Sequence, residues 1–326
     1  AGLAPGTVPL PGQQTEVMMH DPDIPIPVAF SPPKIPVAEA GLLVDGQVDT
    51  RETAATIIDL AVRGALTVQS DGKHDFRVTL VDPDRAAAPH EMVLLNHLFH
   101  GEPPGAVANL SAPGSLLNAH QAMQDSVRNQ VAARGWFRKV PSATATGGAG
   151  FGVIVFAIFA AFAFGAALLL LVIPLLPILI TLAVIRVKLR RGQRTPDGRA
   201  VCDQVEGFRT YLATAEADQL RFEEGEDIFS KYLPWAIAFN LADRWARLCA
   251  DLVAMGRLPD TTPYWYIGDG YHFGAFNTSF LTSSLTSAAS PAPSAGSSGT
   301  GFGGGSSFGG GGFSGGGGGG GGGGSW

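Results

Sequence analysis

The chain has 326 residues, which is enough for two modest domains, and only 15% of them are charged, against about 25% in soluble domains. Its net charge of −6 argues against a general nucleic-acid-binding protein, because such a protein carries a basic surface. Cys202 and Cys249 are too far apart for a CxxC motif and too few for a disulfide framework, so we expect both thiols to be buried and reduced.

Residues 1–35 are predicted to form a proline-rich linker. Six prolines lie between residues 22 and 36. Proline has a fixed φ and no backbone N–H, so such a stretch is typical of an extended connection rather than of a packed helix or strand.

Residues 36–85 are predicted to form a winged-helix-like lobe. A short helix follows Pro36, and a second helix is predicted between a capping box at Asp49 and Glu52 and a stop at Gly64. Two alternating strands then flank a turn at residues 70–73. The second helix is slightly acidic, whereas a helix that enters a DNA groove carries a positive excess. We therefore expect this lobe to dock a protein rather than DNA.

Residues 86–146 are predicted to form a helical lobe. Apolar residues recur at helical spacing in two helices: Met92, Leu95 and Phe99, then Leu116, Ala119, Met123, Val127 and Val131. Trp136 and Phe137 are expected at the membrane interface. His97 and His100 could share a helix face as metal ligands, but no third ligand has a fixed spacing to them, so we expect surface or capping histidines.

Residues 147–187 are predicted to form a transmembrane hairpin of two helices. Between residues 151 and 185 the only clearly polar side chain is Thr181. As one helix this run would be about 55 Å long, too long for a single span of about 30 Å but sufficient for two. One long tilted span and a re-entrant arrangement are the alternatives. The turn falls at Gly165-Ala166, unless Pro174 and Pro177 mark it rather than kink the second helix.

Basic residues flank the apolar run on both sides, as expected when both ends lie in the cytoplasm. They are Arg134, Arg138 and Lys139 before it, and Arg186, Lys188, Arg190, Arg191 and Arg194 after it. The run itself contains no ionisable side chain, which indicates an anchor rather than an ion or proton path.

Residues 188–272 are predicted to form a C-terminal cytoplasmic helical domain, and residues 273–326 a disordered Gly/Ser-rich tail. We expect a turn at Thr195-Pro-Asp-Gly198, a helix with Val205, Phe208, Leu212 and Ala215 on one face, and a helix that opens at Leu233-Pro-Trp. The helix that opens at Leu233 is predicted to carry an apolar stripe, formed by Ala238, Leu241, Trp245, Leu248 and Leu252. The acidic run at residues 223–227 lacks the EF-hand pattern and is predicted to be a solvated loop.

The sequence contains no recognisable catalytic motif. We find no G-x-S-x-G elbow, Walker A loop or H-E-x-x-H motif, and no GxGxxG that opens a helix after a strand. We therefore assign no catalytic, cofactor-binding or metal-binding residue and expect no cofactor. The sequence leaves open whether the chain is an enzyme, and the lack of such motifs favours a non-enzymatic protein.

Four stretches, taken in order, carry a resemblance to a known family: Pro36-Val-Ala-Glu-Ala-Gly-Leu-Leu-Val-Asp-Gly46, Ala55-Thr-Ile-Ile-Asp-Leu-Ala-Val-Arg-Gly64, Gly207-Phe-Arg-Thr-Tyr-Leu212 with Ala215-Glu216, and Tyr232-Leu-Pro-Trp-Ala-Ile-Ala238 followed by Trp245. Together with the glycine-rich end, Ser325-Trp326, they resemble the YciQ-like family of predicted bacterial membrane proteins, a domain family of unknown function. The resemblance implies an upstream secreted-side domain and first membrane span, and lobes that are cytoplasmic. It supplies no catalytic residue.

We accordingly expect a mainly α membrane protein of the inner membrane, multi-pass, with its lobes in the cytoplasm. The expected function is a non-enzymatic scaffold or assembly and regulatory factor whose lobes dock a protein partner. Besides the lipid bilayer and that partner we expect no nucleic acid, and we identify no small-molecule substrate. The alternatives are a membrane-tethered winged-helix DNA-binding regulator and a membrane-bound enzyme whose active part lies upstream.

Overall fold

The computed structural model describes residues 4–10, 25–70, 76–141, 193–217, 220, 227–268 and 278–292. Its helices are α1 (Val37–Asp45), α2 (Thr50–Val62), α3 (Pro89–Phe99), α4 (Leu117–Ala133), α5 (Pro196–Thr214), α6 (Ile228–Ala238), α7 (Ala242–Ala254) and α8 (Thr278–Ala289). Its strands are β1 (Leu66–Ser70), β2 (Phe76–Leu80), β3 (Val107–Asn109), β4 (Phe137–Lys139), β5 (Gln193–Arg194) and β6 (Tyr266–Gly268). All of them belong to one compact unit, which is assembled from both sides of the apolar run.

Both predicted ends of α2 are confirmed. Asp49 is its N-cap residue, and Glu52 Oε2 accepts a hydrogen bond from the Asp49 N–H at 2.7 Å. After α2, Gly64 adopts a φ of +80°, which only glycine takes at no steric cost. Local chemistry is therefore sufficient to define where this helix begins and ends.

A four-stranded sheet has the order β3-β2-β1-β6. β1 and β2 pair antiparallel, as predicted for a hairpin, with Leu66 opposite Leu80 and Ser70 opposite Phe76, so that residues 71–75 connect the strands rather than the shorter turn predicted at residues 70–73. β6 joins β1 in parallel, with Val68 opposite Tyr266. Since β6 comes from residues assigned to the C-terminal domain, the regions 36–85 and 188–272 share one sheet and one core rather than forming separate lobes.

Helix α2 is enclosed by other helices. It packs against α1, α6 and α8, and its buried residues lie on several faces: Glu52, Thr53, Ala54, Ala55, Thr56, Ile57, Ile58, Leu60 and Ala61. A recognition helix has to present one open face to a DNA groove. The burial of α2 therefore argues against its use as the recognition helix of a DNA-binding regulator.

The region assigned to the disordered tail begins with a packed helix, so the predicted boundary at residue 273 is wrong for this part. Leu281 and Leu285 of α8 are buried, and Asp243 Oδ1 accepts hydrogen bonds from the hydroxyls of Thr278 at 3.0 Å and Ser279 at 2.7 Å. The spacing of the two leucines was the available indication, but the serine-rich and threonine-rich context weakened it. Residues 293–326 lie outside the described residues.

Aromatic side chains hold α5, α6 and α7 together. The ring of Phe208 lies 5.4 Å from that of Tyr232 and 5.7 Å from that of Trp235, and Tyr232 lies 5.5 Å from Trp245. These rings come from two of the stretches that carry the family resemblance, the one at residues 207–212 and the one at residues 232–238 with Trp245. These stretches therefore contribute to the same aromatic part of the core.

Helix α6 begins earlier than predicted. Its first residue is Ile228, because Asp227 Oδ1 accepts the N–H of Ser230 at 3.0 Å and thereby caps the helix, so Pro234 lies inside it. In α3 the buried face differs in part from the predicted one. Leu95 and Phe99 are buried as predicted, but Met92 is exposed, and His90 and Glu91 are buried instead. The predicted stripe of α4 is confirmed, since Leu116, Ala119, Met123, Val127 and Val131 are all buried.

Glu52 is a carboxylic acid inside this core. It is 2% exposed, and its side chain lies so close to Gly41 of α1 that a Cβ there would come within 2.5 Å of it. Burial raises the pKa of Glu52 to about 7, and the nearby carboxylates of Asp49 and Asp45 add to the effect.

The raised pKa predicts that Glu52→Gln stabilises the protein at alkaline pH. The folded state binds the proton more tightly than the unfolded state, so the contribution of Glu52 is most favourable below pH 4.5 and is lost as the pH rises through about 7. At pH 8 the variant should exceed the wild type by up to about 3 kcal/mol, and at pH 4.5 the two should be similar. Urea unfolding between pH 4.5 and 8 measures this. The exposed Glu102→Gln serves as control, and parallel pH profiles for both variants and the wild type would contradict the prediction.

Candidate functional site

Helix α1 is the most enclosed element near the two ends of the apolar run. Every residue from Val37 to Leu43 is buried, and α1 packs against α2, α4, α5 and α6. Its end is set by Gly46, whose φ of +81° is left-handed and whose N–H donates to the carbonyl of Leu42. One of the buried residues, Glu39, is ionisable and needs a partner.

Arg134, which precedes the apolar run, supplies that partner. Its Nε lies 2.8 Å from Glu39 Oε2, its second guanidinium nitrogen donates to Oε1 at 3.1 Å, and its guanidinium lies over the ring of Trp136 at 5.0 Å. Burial raises the pKa of Glu39, and the charge of Arg134 opposes that shift. The pair therefore fixes the end of α4 against α1.

Arg194, which follows the apolar run, binds the other end of the same helix. Its Nε donates to the carbonyl of Leu43 and its terminal nitrogen to that of Val44, both at 2.8 Å. These carbonyls lie in the last turn of α1, where helix carbonyls lack partners and a positive charge is favourable. Arg134 and Arg194 thus attach the two flanks of the run to one buried helix.

The backbones of the two flanks also pair with each other. In the β4–β5 ladder Phe137 lies opposite Arg194 and Lys139 opposite Gln193. The N–H of Thr195 donates to the carbonyl of Trp136 at 2.9 Å. We call α1 together with residues 134–139 and 193–198 the root.

Thr195 begins α5 at this point, where a turn was predicted. Its hydroxyl accepts the N–H of Gly198 at 3.2 Å, and Pro196 takes the first helical position. Gly198 lies directly against the backbone of Trp136, since a Cβ there would be 2.1 Å from that carbonyl oxygen. Any side chain at residue 198 would separate the two flanks.

Two roles assigned from the sequence differ from those in the structure. Arg134 and Arg194, expected to act as flanking cations of the membrane segment, hold α1, while Arg138 and Lys139 remain exposed. Trp136 and Phe137, expected at the membrane interface, are buried in the core. The sequence could show a glutamate in an otherwise apolar helix, but it could not show which arginine meets that glutamate.

A second set of charges, around the buried carboxylate of Glu91, connects α2 to α3. Arg63 lies 2.8 Å from Asp59 and 2.7 Å from Glu91, whose carboxylate also accepts backbone N–H groups before α3. His90 bonds to Gln130 through Nδ1 at 3.0 Å, and burial lowers its pKa, so it is neutral at pH 7. These groups bind helices to one another.

Among the described residues, His97, His120 and the two thiols make contacts within the fold. His120 bonds to Thr53 at 2.7 Å, and the ring of His97 bonds to the carbonyl of Val93 in its own helix. Among the described residues, no group of three or more His, Cys, Asp or Glu side chains is arranged to hold a metal ion. Cys202 and Cys249 are free and buried, as predicted, and burial raises the pKa of both, to about 11 for Cys202.

The predicted hairpin at 147–187 lies outside the described residues, as does most of the acidic run at 223–227. Within the described ranges, the helices lack the combination of length and apolar character that a membrane span requires.

Comparison with known families identifies the class of the protein. A family model described as the C-terminal domain of predicted membrane proteins (DUF2207) matches residues 27–248, which include the root and both flanks of the apolar run. The chain belongs to this family of predicted membrane proteins, with which the YciQ-like resemblance agrees. Neither a curated protein nor a solved structure matches the chain.

The root predicts that Arg134→Gln destabilises the protein through an unpaired buried carboxylate. We expect a loss of about 2–3 kcal/mol at pH 7, less than for a fully buried pair because Arg134 is partly exposed, and a smaller loss at lower pH as Glu39 takes up a proton. The double variant Glu39→Gln, Arg134→Gln should recover most of the loss. Urea unfolding followed by tryptophan fluorescence measures it, with the exposed Arg138→Gln as control. Equal stabilities of the 134 and 138 variants would refute the role of the pair.

Proposed function

We propose that this protein is a multi-pass inner-membrane protein, anchored by a helical hairpin at residues 147–187, whose described unit lies in the cytoplasm and docks a protein partner without catalysing a reaction. The observation that carries the proposal is the root. It joins the described flanks on the two sides of the apolar run to each other and to α1.

The pairing of β4 with β5 supports the hairpin. Lys139, before the apolar run, and Gln193, after it, are ladder partners. A membrane segment whose two flanks are paired on one side of a bilayer has to cross it an even number of times. Two crossings agree with the length of the apolar run.

Charge supports the cytoplasmic orientation. Arg138 and Lys139 are exposed at the start of the run, and Arg186, Lys188, Arg190 and Arg191 follow it in the sequence. Between Asp125 and Asp197 the chain contains no acidic residue. Such an excess of lysine and arginine beside membrane segments is typical of the cytoplasmic side.

The use of the buried charges supports a docking role over a catalytic one. Glu39, Glu91, Arg63 and Arg134 each join one helix to another. Both thiols are protonated at neutral pH, because burial raises the pKa of each, so neither is an activated nucleophile. A rigid unit attached at one point to an anchor is suited to presenting a surface.

The anchor predicts that both flanks of the run are reached from the same side of the membrane. Lys139→Cys and Asp197→Cys, introduced one at a time, should react with a membrane-impermeant maleimide in inverted vesicles and not in right-side-out vesicles. Cys202 and Cys249 are buried and provide a low background in the parent chain. Labelling of the two sites from opposite sides would refute the hairpin, and labelling of both only in right-side-out vesicles would refute the orientation.

The docking role predicts that retention of a partner depends on the described unit. The full chain, cross-linked in cells and purified in detergent, should retain a protein that a chain reduced to residues 140–192 does not retain. Equal retention by both would show that the membrane segment alone carries the interaction.

A further inference from the structure

The proline-rich stretch is held on α5 at a glycine. The backbone of residues 25–31 passes so close to Gly207 that a Cβ there would lie 2.3 Å from the carbonyl oxygen of Pro27 and 3.2 Å from the nitrogen of Ala29. Real Cβ atoms do not approach backbone atoms so closely, so only glycine leaves room for this crossing. We call residues 25–31 the strap.

The strap contributes little to the hydrophobic core. Phe30 contacts Tyr211 edge to face at 5.5 Å, yet its side chain is 72% exposed, and Val28 is 43% exposed. Because most of its apolar surface faces solvent, releasing the strap exposes little additional apolar area. Another segment that makes similar contacts with α5 can therefore replace the strap.

A turn at Gly6 meets α5 one helical turn before the strap does. Gly6 donates its N–H to Asp203 Oδ2 at 3.3 Å, and its carbonyl accepts from Gln204 Nε2 at 3.0 Å. Asp203 and Gly207 are four residues apart, about 6 Å along a helix. The face formed by Asp203, Gln204, Gly207 and Tyr211, which we call the α5 track, thus contacts the main chain of other segments at two successive positions, a turn at Gly6 and the extended strap at Gly207.

The remaining face of α5 belongs to the core. Val205, Phe208 and Leu212 are buried. Within residues 207–212, Phe208 and Leu212 therefore belong to the core and Gly207 and Tyr211 to the α5 track, while Arg209 and Thr210 are exposed. Packing in the core accounts for the apolar side chains at positions 208 and 212. The close crossing of the strap accounts for the glycine at position 207.

We propose that the α5 track is a docking surface for extended, proline-containing protein segments, and that the strap is its resident and displaceable occupant. This inference rests on the docking role proposed above, which it deepens by naming the surface and the class of partner. An extended proline-containing segment is ordered before it binds, so it loses little conformational entropy on docking. Because the contact at Gly207 is made by main-chain atoms of the bound segment, the surface accepts segments of varied sequence.

The position of the strap on Gly207 is tested by Gly207→Ala, studied by limited chymotrypsin digestion of the full chain in detergent. Alanine favours a helix, so α5 should stay folded, while the added Cβ should displace the strap and make cleavage after Phe30 several-fold faster. In a chain whose strap is replaced by seven Gly and Ser residues, the same substitution should not lower the unfolding midpoint. Unchanged cleavage after Phe30 would overturn the assignment of Gly207.

The docking surface is tested with a synthetic peptide of the strap sequence, Pro-Ile-Pro-Val-Ala-Phe-Ser, that carries a photoreactive phenylalanine at its sixth residue. Cross-links should map to α5 near Tyr211 in the chain with the replaced strap, and should be several-fold fewer in the wild type, where the strap competes. Equal capture by both chains, or cross-links away from α5, would overturn the proposal. If capture fails but partner retention still requires the described unit, the docking role stands and the α5 track does not.

Discussion

A carboxylate buried in α1 is the constraint on which the described structure depends. Glu39 has no access to solvent, so its charge needs a cation, and the cation comes from Arg134 at the end of α4. At the other end of α1, Arg194 binds carbonyls that the helix leaves without partners. One short helix thereby joins two points of the chain that are 60 residues apart.

The root explains how a long apolar insertion is compatible with one compact unit. The β4–β5 ladder, the Thr195 bond and the close approach of Gly198 to Trp136 hold the residues on the two sides of the run together. The charges of Arg63, Glu91 and Asp59 join α2 to α3 nearby. The two described flanks of the run therefore belong to a connected set of helices.

The unit combines parts that periodicity alone assigned to different lobes. β6 completes the sheet of the first hairpin, and α8 covers α2. The aromatic rings of α5, α6 and α7 form the core beside α2 and α1. Of the stretches that resemble a known family, the one at residues 36–46 lies in the root, and those at residues 207–212 and 232–238 meet in the aromatic core. The apolar residues before the run and those after it are therefore buried only when the two regions pack together.

The sequence by itself determined the features that local chemistry controls. The capping box and glycine stop of α2, the pairing of β1 with β2 as a hairpin and the buried stripe of α4 follow from spacing and turn chemistry. Only the tertiary structure decided which partner each charge has, that α8 is packed, and that Gly207 and Gly198 are contact points. These depend on residues far apart in the chain, and periodicity specifies a face without specifying what covers it. A buried ion pair such as Glu39–Arg134 is invisible in the sequence for the same reason, since either side chain alone is typical of a solvated surface.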